Sequence, residues 1–530
     1  MQVVKIIIVT PFLLIVYGIL KAIIRQHSYE NGMRQRGCKR APRIANKLPF
    51  AIDFFLDAAK ADTEKKFPEM MVQRFERMGD TRTFEHFTLG THGLSTNDPK
   101  NLQAIHATQF KDFGLGDRRN GIFRPLLGKG IFAVDGEAWS HSRALLRPQF
   151  TRDQVTDLAL EEHHVKNMMR ALPTDKSGWT TPTDLQPLFF RLTLDSACEF
   201  LFGESVNSQI INLPENIGGQ KVKASHKAID EVNFATAFDR AQGWLSDRTR
   251  LMGMYWADDG PGRRRDTRTV HEFVEYFVRR AIERRANSPA DKTAGEQEKY
   301  VFLDALAADT QDPIELRDQL CNILLAGRDS TASLLGWTFW LLVRNPRVFQ
   351  KLRDTVVAEF GPYSADDVSN ISFTTLKGCA YLQRTLHETL RLFPVVPINM
   401  RQALRDTSLP VGGGEDGKSP VFVAKGQIID YSVHALHRTE AFWGPDADEF
   451  RPERWESRKI GWDYLPFSGG PRICLGQQFA LTEASYVIVR LLQRFDAIEN
   501  LDTDTEPTHN LTLVNNPFKG VQVRLHEAAN

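Results

Sequence analysis

The feature of this sequence that most restricts its fold is residues 465–476, LPFSGGPRICLG, where a lone cysteine stands just ahead of a helix. The residues that follow, QQFALTEASYVIVRLLQRF, contain neither proline nor glycine and repeat apolar side chains at helical spacing. Unpaired amides and the helix dipole at such an N-terminus favour an anionic sulfur on Cys474. Gly470 and Gly476 let the backbone come close to a large flat group, and Arg472 places a fixed cation beside the sulfur.

Five positions in this stretch carry a family resemblance, Phe467-x-x-Gly470-x-Arg472-x-Cys474-x-Gly476. They resemble the haem-binding signature of the cytochrome P450 monooxygenases. The resemblance implies that Cys474 ligates the iron of a haem b cofactor, and that Phe467, Arg472 and Gly476 belong to the loop that binds this cofactor. The residues alone leave open the commoner fate of a free cysteine, a buried structural position at a helix start.

Composition excludes several other classes of protein. A chain of 530 residues with 42% hydrophobic and 25% charged residues has ordinary globular composition and can form a large core. Its net charge of +1 gives no electrostatic argument for a nucleic-acid partner. The cysteines are odd in number, far apart and without a CxxC pair, which argues against a disulfide framework or a zinc site and suits a reducing environment. They are Cys38, Cys198, Cys321, Cys379 and Cys474.

The N-terminus differs from the rest of the chain. Residues 6–24, IIIVTPFLLIVYGILKAII, contain one charge, Lys21, and at about 1.5 Å per residue they are long enough to cross a bilayer core. No small-residue cleavage site follows, which favours a retained anchor over a signal peptide. Seven lysines and arginines lie between positions 25 and 47, so the positive-inside rule puts the bulk of the protein in the cytosol. A buried terminal core helix is the alternative.

These features predict three segments: residues 1–25 as a membrane anchor, residues 26–49 as a basic linker and residues 50–530 as one catalytic domain. The resemblance implies the cytochrome P450 fold, mainly α with a smaller β region, behind one transmembrane helix. It also implies a single-pass protein of the endoplasmic reticulum membrane whose catalytic domain is cytosolic.

The best-delimited helix is predicted between Asp312 and Pro346. Asp312 suits the N-cap, a proline follows it in the first turn, and Pro346 ends the helix. Residues 320–343 are apolar enough to suggest a second membrane span. The charges of Arg328 and Asp329 at its centre favour a core helix of a large helical domain instead.

The middle of this helix resembles the family's oxygen-activation segment, AGRDST (residues 326–331). An acid beside an alcohol can pass protons from solvent, so the resemblance gives catalytic roles to Asp329, Ser330 and Thr331. The family usually has threonine where this chain has Ser330, so the hydroxyl is kept while the methyl that restricts its rotamer is lost. Relatives that bind haem through an ester carry glutamate where Ala326 stands, so the haem here is expected to be non-covalent.

Two further groups of residues gain weight from the resemblance. Trp139 and Arg143 share one helix face and can aim an indole N–H and a guanidinium at one anion, although such a pair is often just a packed tryptophan and a solvated arginine. In the family this pair and an arginine at the place of Arg401 hold the haem propionates. The second group is a buried triad that holds the thiolate loop; it comprises Glu388, Arg391 and, in the segment FRPERW, Arg454.

The reaction implied is hydroxylation of an unactivated C–H bond with O2. The sequence has no evident flavin or nicotinamide site, so the electrons are expected from a partner protein, and the resemblance implies that this partner is an NADPH–cytochrome P450 reductase. The sequence around the motifs looks most like fungal members that hydroxylate n-alkanes and fatty acids at or near the chain end. Arg118, Arg119 or Arg124 could hold a substrate carboxylate. Candidate walls of a narrow apolar channel are Leu324, Leu325, Ala326, Val395, Val396 and Leu513.

Three other functions share the thiolate motif. A sterol or xenobiotic hydroxylase would use the same chemistry with a differently shaped pocket. A haem-thiolate isomerase or dehydratase would need neither a reductase nor a proton relay, and a haem sensor would have little use for a relay together with a membrane anchor. Asp329 and Ser330 argue against the last two.

Overall fold

The structure is a computed structural model that describes residues 2–48, 51–88, 91–150, 158–213, 231–287 and 300–529. Helices dominate it. In chain order they are α1 (Gln2–Gln35), α2 (Ile52–Thr63), α3 (Phe67–Glu76), α4 (Pro99–Gln103), α5 (Gly116–Leu127), α6 (Gly136–Leu146), α7 (Leu158–Met169), α8 (Leu185–Phe202), α9 (Ser208–Ile211), α10 (Glu231–Arg250), α11 (Pro261–Asn287), α12 (Phe302–Asp309), α13 (Pro313–Arg344), α14 (Pro346–Phe360), α15 (Phe373–Gly378), α16 (Ala380–Leu392), α17 (Val433–Leu436), α18 (Glu440–Trp443) and α19 (Gln477–Arg494).

Shorter turns of helix connect several of these elements. A π-helical turn spans Ala104–Thr108, and 3₁₀ turns span Phe110–Asp112, Arg147–Phe150, Met252–Ala257, Pro452–Glu456 and Gly470–Arg472. Two of them, the π turn and the last 3₁₀ turn, contact each other at the candidate site.

The strands form small, separate sheets. They are β1 (Thr83–Thr88), β2 (Thr91–Thr96), β3 (Phe113–Gly114), β4 (Thr183–Asp184), β5 (Ile398–Ala403), β6 (Thr407–Gly413), β7 (Ser419–Val423), β8 (Ile428–Ser432), β9 (Phe495–Asn500), β10 (His509–Leu511), β11 (Asn515–Pro517) and β12 (Gln522–Glu527). The largest sheet has the order β1-β2-β8-β5-β3, in which only the β2–β8 pair is parallel. The others are β4-β12-β9, β6-β7 and β10-β11. The structure is therefore mainly α with a smaller β region, as the sequence predicts.

Helix α13 runs through the core and has the predicted bounds. The Asp312 carboxylate caps it by accepting a hydrogen bond from the Ile314 amide at 2.9 Å, and the helix ends at Arg344, before Pro346. Its second half packs against α8 and α19 in the largest apolar cluster. There the fully buried Trp337 stacks on Phe393 with ring centroids 3.9 Å apart. This packing fixes the helix centre relative to the Cys474 loop.

The N-terminal helix α1 contains the predicted anchor and continues beyond it. Its last turns lie against strand β7, where the Tyr29 hydroxyl donates to the Phe422 carbonyl oxygen at 3.2 Å. A Cβ on Gly32 would stand 2.4 Å from the Phe422 ring, so glycine permits this close approach. Part of the predicted linker, residues 26–35, is thus a docked helix. Among helices of the described residues, none has both the length and the apolar character of a bilayer span.

Candidate active site

The Cys474 loop is held by backbone hydrogen bonds directly before α19. The Cys474 amide donates to the Phe467 carbonyl oxygen at 3.0 Å, and Arg143 Nη1 on α6 donates to the carbonyl oxygen of Ile473 at 3.0 Å. The sulfur-bearing side chain is solvent-accessible. Yet surrounding protein raises the pKa of the Cys474 thiol, while the Gly476 amide and Arg143 oppose that rise. The Cys474 side chain is therefore accessible although protein atoms surround it.

Two glycines of the loop have different roles. Gly470 has a φ of +63°, and a Cβ there would lie 1.9 Å from the His106 carbonyl oxygen. The absence of a side chain therefore allows the 3₁₀ turn to pack closely against the π-helical turn. A Cβ on Gly476 would meet nothing closer than Phe150, at 3.7 Å. Gly470 is therefore required for the loop to pack here, whereas a Cβ on Gly476 would make only an ordinary van der Waals contact.

A group of arginines converges beside this loop; we name it the arginine cluster, and it consists of Arg119, Arg143, Arg401 and Arg472. Burial and, to a smaller extent, the other three cations lower the pKa of Arg472 to about 9, against the pull of Asp135. Burial and Arg401 likewise lower the pKa of Arg119 to about 10. Such mutual shifts mean that the guanidinium groups share one poorly solvated region.

The cluster has little negative charge to balance it. Arg472 Nη2 contacts Asp135 Oδ1 at 2.6 Å, and this is the cluster's only ion pair within the described ranges. Arg119 and Arg401 both donate to the neutral amide oxygen of Asn399, at 2.9 and 3.2 Å. The buried Nε atoms of Arg119 and Arg472 have no hydrogen-bond partner among the described residues. The site thus has unused donors and excess positive charge, which anionic groups would satisfy.

Trp139 packs inside this cluster. Its indole ring lies 4.5 Å from the Arg472 guanidinium carbon and 5.8 Å from that of Arg143, so both cations interact with its face. Asp135, four residues earlier, accepts hydrogen bonds from the Leu115 and Gly116 amides at 2.9 Å as well as from Arg472. The predicted pair on α6 and the predicted Arg401 therefore lie at one place, with the Cys474 loop.

The centre of α13 carries a buried acid next to alcohols. Burial raises the pKa of Asp329 to about 6, with Asp239 adding to the rise and Arg328, 3.3 Å away, opposing it. The Ser330 hydroxyl donates to the Ala326 carbonyl oxygen at 2.6 Å. An acid with this pKa can both hold and release a proton near neutral pH, which a proton relay requires.

A second pair of acids was not predicted. Glu161 on α7 and Glu483 on α19 are both buried, and the Ser196 hydroxyl on α8 donates to Glu161 at 2.8 Å. Burial and then Glu161 raise the pKa of Glu483 well above its usual range, against the hydroxyls of Thr331 and Ser196. Two like charges in a buried site cannot both ionise easily, so the pair holds a proton.

The predicted triad forms a buried network. Arg391 binds both carboxylate oxygens of Glu388, at 2.8 and 2.9 Å, and Arg454 Nε contacts the same carboxylate at 3.2 Å. Glu388 and Arg391 have no accessible surface. The Trp455 indole N–H donates to Glu388 at 2.9 Å, and Arg454 also pairs with Asp446 at 2.8 Å. The network joins α16 to the segment that leads to the Cys474 loop.

The predicted channel walls differ in their exposure. Leu324 has no accessible surface and packs in the helical core together with Leu325. Val395 is buried in the other large cluster, and its carbonyl oxygen accepts from the Asn515 amide at 3.0 Å. Residues with surface left for a ligand are Ala326, Val396 and Leu513. Of the three arginines considered for a substrate carboxylate, Arg119 belongs to the arginine cluster, Arg118 is half-buried and Arg124 is exposed.

The arrangement fits haem. An accessible thiol in a fixed loop can ligate iron. The arginine cluster has the unused donors and charge that two propionates need. Ala326 has no carboxyl group, so it cannot form the ester that links haem to the protein in some relatives.

Several site residues escaped prediction because no local signal marks them. Asp135 lies in a loop, and its role follows only from the position of Arg472. His106 is buried beside the loop, where burial and Arg401 hold its pKa well below the usual range. Glu483 had a weak signal, since it is an acid on the apolar α19 nine residues after Cys474.

Comparisons with known proteins agree with this geometry. A family profile for cytochrome P450 matches residues 47–524. The chain is 51% identical over 520 residues to "Cytochrome P450 monooxygenase g430" of a Fusarium species, an alignment that covers 98% of this chain and 89% of the relative. It is 44% identical over 529 residues to "Cytochrome P450 monooxygenase alt2" of Alternaria solani, with 98% and 96% covered. It is also 44% identical over 503 residues to "Cytochrome P450 52A12" of Debaryomyces hansenii, with 93% and 94% covered.

The family profile spans most of the chain, and the relatives align from end to end, so the likeness includes the fold as well as the thiolate motif. The sequence interpretation of family, enzyme class and cofactor is thereby confirmed. This chain belongs to the cytochrome P450 family of monooxygenases, whose cofactor is thiolate-ligated haem b.

Proposed function

We propose that the protein hydroxylates long-chain n-alkanes or fatty acids at or near the terminal carbon, with electrons from an NADPH–cytochrome P450 reductase. The observation that carries the oxidation chemistry is the accessible Cys474 thiol beside an arginine cluster whose one ion pair among the described residues is that of Arg472 with Asp135. The substrate class rests on the resemblance of residues 121–150, 326–332 and 469–487 to fungal enzymes of this specificity.

The residues divide between holding the cofactor and serving the reaction. Cys474 would ligate the iron, and the arginine cluster with Trp139 would hold the two propionates. When bound, haem supplies the activation of O2, and the overall reaction is RH + O2 + 2 electrons + 2 protons giving ROH + H2O. The buried network of Glu388, Arg391 and Arg454 would keep the Cys474 loop in place.

The chain's own contribution to O–O cleavage is proton delivery. Asp329 would take protons from solvent and pass them through the Ser330 or Thr331 hydroxyl to the site where O2 is reduced. The pKa of about 6 for Asp329 supports this role, because the carboxyl exchanges protons readily near neutral pH.

Selectivity for a chain end requires a channel that excludes the weaker internal C–H bonds. Ala326, Val396 and Leu513 keep accessible apolar surface from which such a channel could be built. Arg118 would hold the carboxylate of a fatty acid, because its buried Nε has no partner within the described residues and its Nη2 contacts only the Met400 sulfur, at 4.0 Å. Arg119 serves the cofactor instead.

We further propose that residues 1–25 attach the protein to the endoplasmic reticulum membrane, with residues 50–530 as the cytosolic catalytic domain. The apolar sequence of residues 6–24 and the basic residues after it support this orientation. Membrane attachment would bring the protein to its lipid-soluble substrate and to a reductase in the same membrane.

Two measurements test the proposal. Reduced protein with carbon monoxide should show the red-shifted Soret band of a thiolate ligand, and Cys474→Ser should lose it. Laurate, palmitate or hexadecane should shift the iron from low to high spin, and reconstitution with reductase should give terminal or near-terminal alcohols. Retention of the band in Cys474→Ser would refute the ligand assignment. Products spread along the chain, or tight binding of steroid-sized molecules alone, would refute the substrate class.

A further inference from the structure

The turn that carries Leu513 projects from a very short hairpin. Strands β10 and β11 form three residue pairs, one of which joins His509 to Pro517, and a proline has no backbone N–H to donate. A two-stranded hairpin of this length has little stability of its own. We name residues 512–514 the Leu513 turn. Its position therefore depends on contacts with the elements around it.

One side of the hairpin is attached to the core. The Asn515 amide donates to the Val395 carbonyl oxygen at 3.0 Å. The Asn515 carbonyl oxygen accepts from the Ser333 hydroxyl at 2.6 Å and from the Trp337 indole N–H at 2.7 Å, and both donors lie on α13. Strand β11 is therefore held by the helix that also carries Asp329.

The other side of the hairpin is held by α10. The buried Ser246 hydroxyl donates to the Leu511 and Thr512 carbonyl oxygens, at 3.2 and 3.3 Å. Arg250, one turn later, donates through Nη2 to the Leu511 carbonyl oxygen at 2.9 Å and through Nη1 to the Ser246 hydroxyl oxygen. Because this oxygen accepts from Arg250, its own hydrogen is directed to the two carbonyl oxygens.

Arg250 is in turn positioned by α2. Its Nε and Nη2 donate to the two carboxylate oxygens of Asp62 at 2.8 and 2.9 Å, and this bidentate geometry fixes the plane of the guanidinium group. Asp247, on the same helix as Arg250, lies farther away, with its Oδ1 3.7 Å from Nη1. We name Asp62, Ser246 and Arg250 the turn clasp. The turn clasp joins α2, α10 and the hairpin.

The turn clasp is better suited to positioning the turn than to stabilising the whole fold. The side chains of Arg250 and Asp62 are 37% and 30% exposed, and ion pairs with such exposure contribute little to the free energy of unfolding. The carbonyl oxygens that the clasp binds belong to the two residues directly before Leu513. Leu513 packs against the apolar cluster that contains Leu324 and Leu325 of α13. Loss of the clasp would therefore move the wall that Leu513 forms beside α13.

We propose that the turn clasp determines where along its chain a substrate is hydroxylated, because the clasp sets the place of Leu513 in the channel wall. Its three side chains are positioning residues, which act through the Leu513 turn and need no contact with the substrate. The inference rests on the proposed function, since it requires a linear substrate whose end passes Leu513. Whether the clasp holds the turn can be measured without any substrate.

The first measurement is hydrogen exchange in the haem-loaded full-length protein, followed by mass spectrometry in peptides that span residues 509–517. Arg250→Met keeps the aliphatic volume and removes every donor. Exchange in these peptides should become about tenfold faster, the effect of losing one hydrogen bond to a charged group. Arg240→Met is the matched control and should leave this exchange unchanged. Arg240 also lies on α10, is 42% exposed and makes a two-point ion pair, but with Asp266 of α11, at 2.8 and 2.9 Å.

The second measurement is the ratio of terminal to subterminal alcohol formed from palmitate after reconstitution with reductase. Arg250→Met should lower this ratio by about tenfold, the discrimination that one methylene contact provides, and Arg240→Met should keep it. Leu513→Ala should also lower the ratio. The double variant should match Leu513→Ala alone, because Arg250 acts through Leu513. A merely structural role of Arg250 would lower total activity and leave the ratio unchanged.

Each result decides the proposal. Unchanged exchange in Arg250→Met, or equal acceleration in Arg240→Met, overturns it because the clasp would not hold the turn. Faster exchange with an unchanged product ratio, or additive effects of Arg250→Met and Leu513→Ala, overturns the role in selectivity. Products spread along the chain in the wild type would instead refute the proposed substrate class, and the exchange result would still decide whether the clasp holds the turn. The carbon monoxide spectrum of each variant reports separately on the Cys474 thiolate.

Discussion

The Ser330 hydroxyl donates to the Ala326 carbonyl oxygen one turn earlier in α13, at 2.6 Å. A serine in this position satisfies a backbone acceptor and is held there by its own helix. To relay a proton, the hydroxyl must rotate away from the carbonyl or accept through its free lone pair. The neighbouring Thr331 hydroxyl faces Glu483 instead. The structure thus contains two competing alcohols next to Asp329.

If Ser330 carries the proton, Ser330→Ala should uncouple the reaction. No buried ion pair or large volume is lost, so haem binding and the substrate spin shift should stay near wild type. Product formation should fall by about 10² to 10⁴, the size of one general acid–base contribution, while NADPH oxidation continues and peroxide is released. Ser330→Thr should couple equally well or better, because the added methyl restricts the rotamers of the hydroxyl.

The measurement is the ratio of product to NADPH consumed, with Thr331→Ala and Asp329→Asn in parallel. An unchanged ratio in Ser330→Ala beside a collapse in Thr331→Ala would move the relay to Thr331. That outcome would mean that the hydrogen bond from the Ser330 hydroxyl to the Ala326 carbonyl oxygen has only a structural role.

Asp329 should make stability depend on pH. Its pKa is about 6 in the folded protein against 3.8 for an ordinary aspartate, so the folded state binds the proton more tightly than the unfolded chain. The stability linked to this group is fully present below about pH 4 and is lost as pH rises to about 6; the loss is about 3 kcal/mol. Melting temperatures between pH 4 and 7 should show this slope in the wild type and lose it in Asp329→Asn. The exposed Asp366→Asn should keep the slope, and an equal slope in both variants would contradict the assignment.

Sequence reasoning located the elements whose signals are local. The bounds of α13 follow from Asp312 and Pro346, and the start of α19 follows from the residues after Cys474, because caps and prolines act over one turn. Trp139 and Arg143 could be assigned to one helix face for the same reason.

The sequence could not predict contacts between residues that are far apart in the chain and are brought together by tertiary packing. The grouping of Arg119 with Arg401 and Arg472 joins α5, β5 and the Cys474 loop, which lie far apart in the chain. The closeness of Glu161 and Glu483 likewise depends on how α7 and α19 pack. Burial also depends on packing, which is why Leu324 could be predicted on the helix but not recognised as fully enclosed.

Removing a member of the buried triad should lower the free energy of unfolding more than removing an exposed ion pair. Arg454→Met keeps most of the side-chain volume but leaves the fully buried Glu388 with one fewer cation, so we expect a loss of about 3–5 kcal/mol in the free energy of unfolding. Arg451→Met is the matched control, because Arg451 is half-exposed and pairs with Asp446 at 2.7 Å. It should cost about 1 kcal/mol or less. Chemical denaturation of both variants gives the comparison, and equal losses would show that the burial of Glu388 is not what matters.

The buried pair of Glu161 and Glu483 should hold one proton between them. For that reason Glu483→Gln, a substitution in the core, should not destabilise the protein. Burial and Glu161 raise the pKa of Glu483, so stability linked to this group is present below its unfolded pKa of about 4.5 and is lost as pH rises through the folded value. An amide has the shape of a protonated acid and cannot ionise. The variant should therefore match the wild type at low pH and become the more stable protein as pH rises.

Glu162 provides the contrast for that experiment, because it neighbours Glu161 on α7 but contacts a buried arginine instead of a second acid. It accepts two hydrogen bonds from Arg490 at 2.9 Å and one from the Tyr486 hydroxyl at 2.7 Å. Glu162→Gln leaves the fully buried Arg490 without a countercharge, so it should destabilise the fold by about 3–5 kcal/mol at every pH tested. Thermal melts of both variants across pH 5 to 8 separate the cases. If Glu483→Gln also lost stability at high pH, Glu483 would be a carboxylate in the folded protein and the shared proton would be wrong.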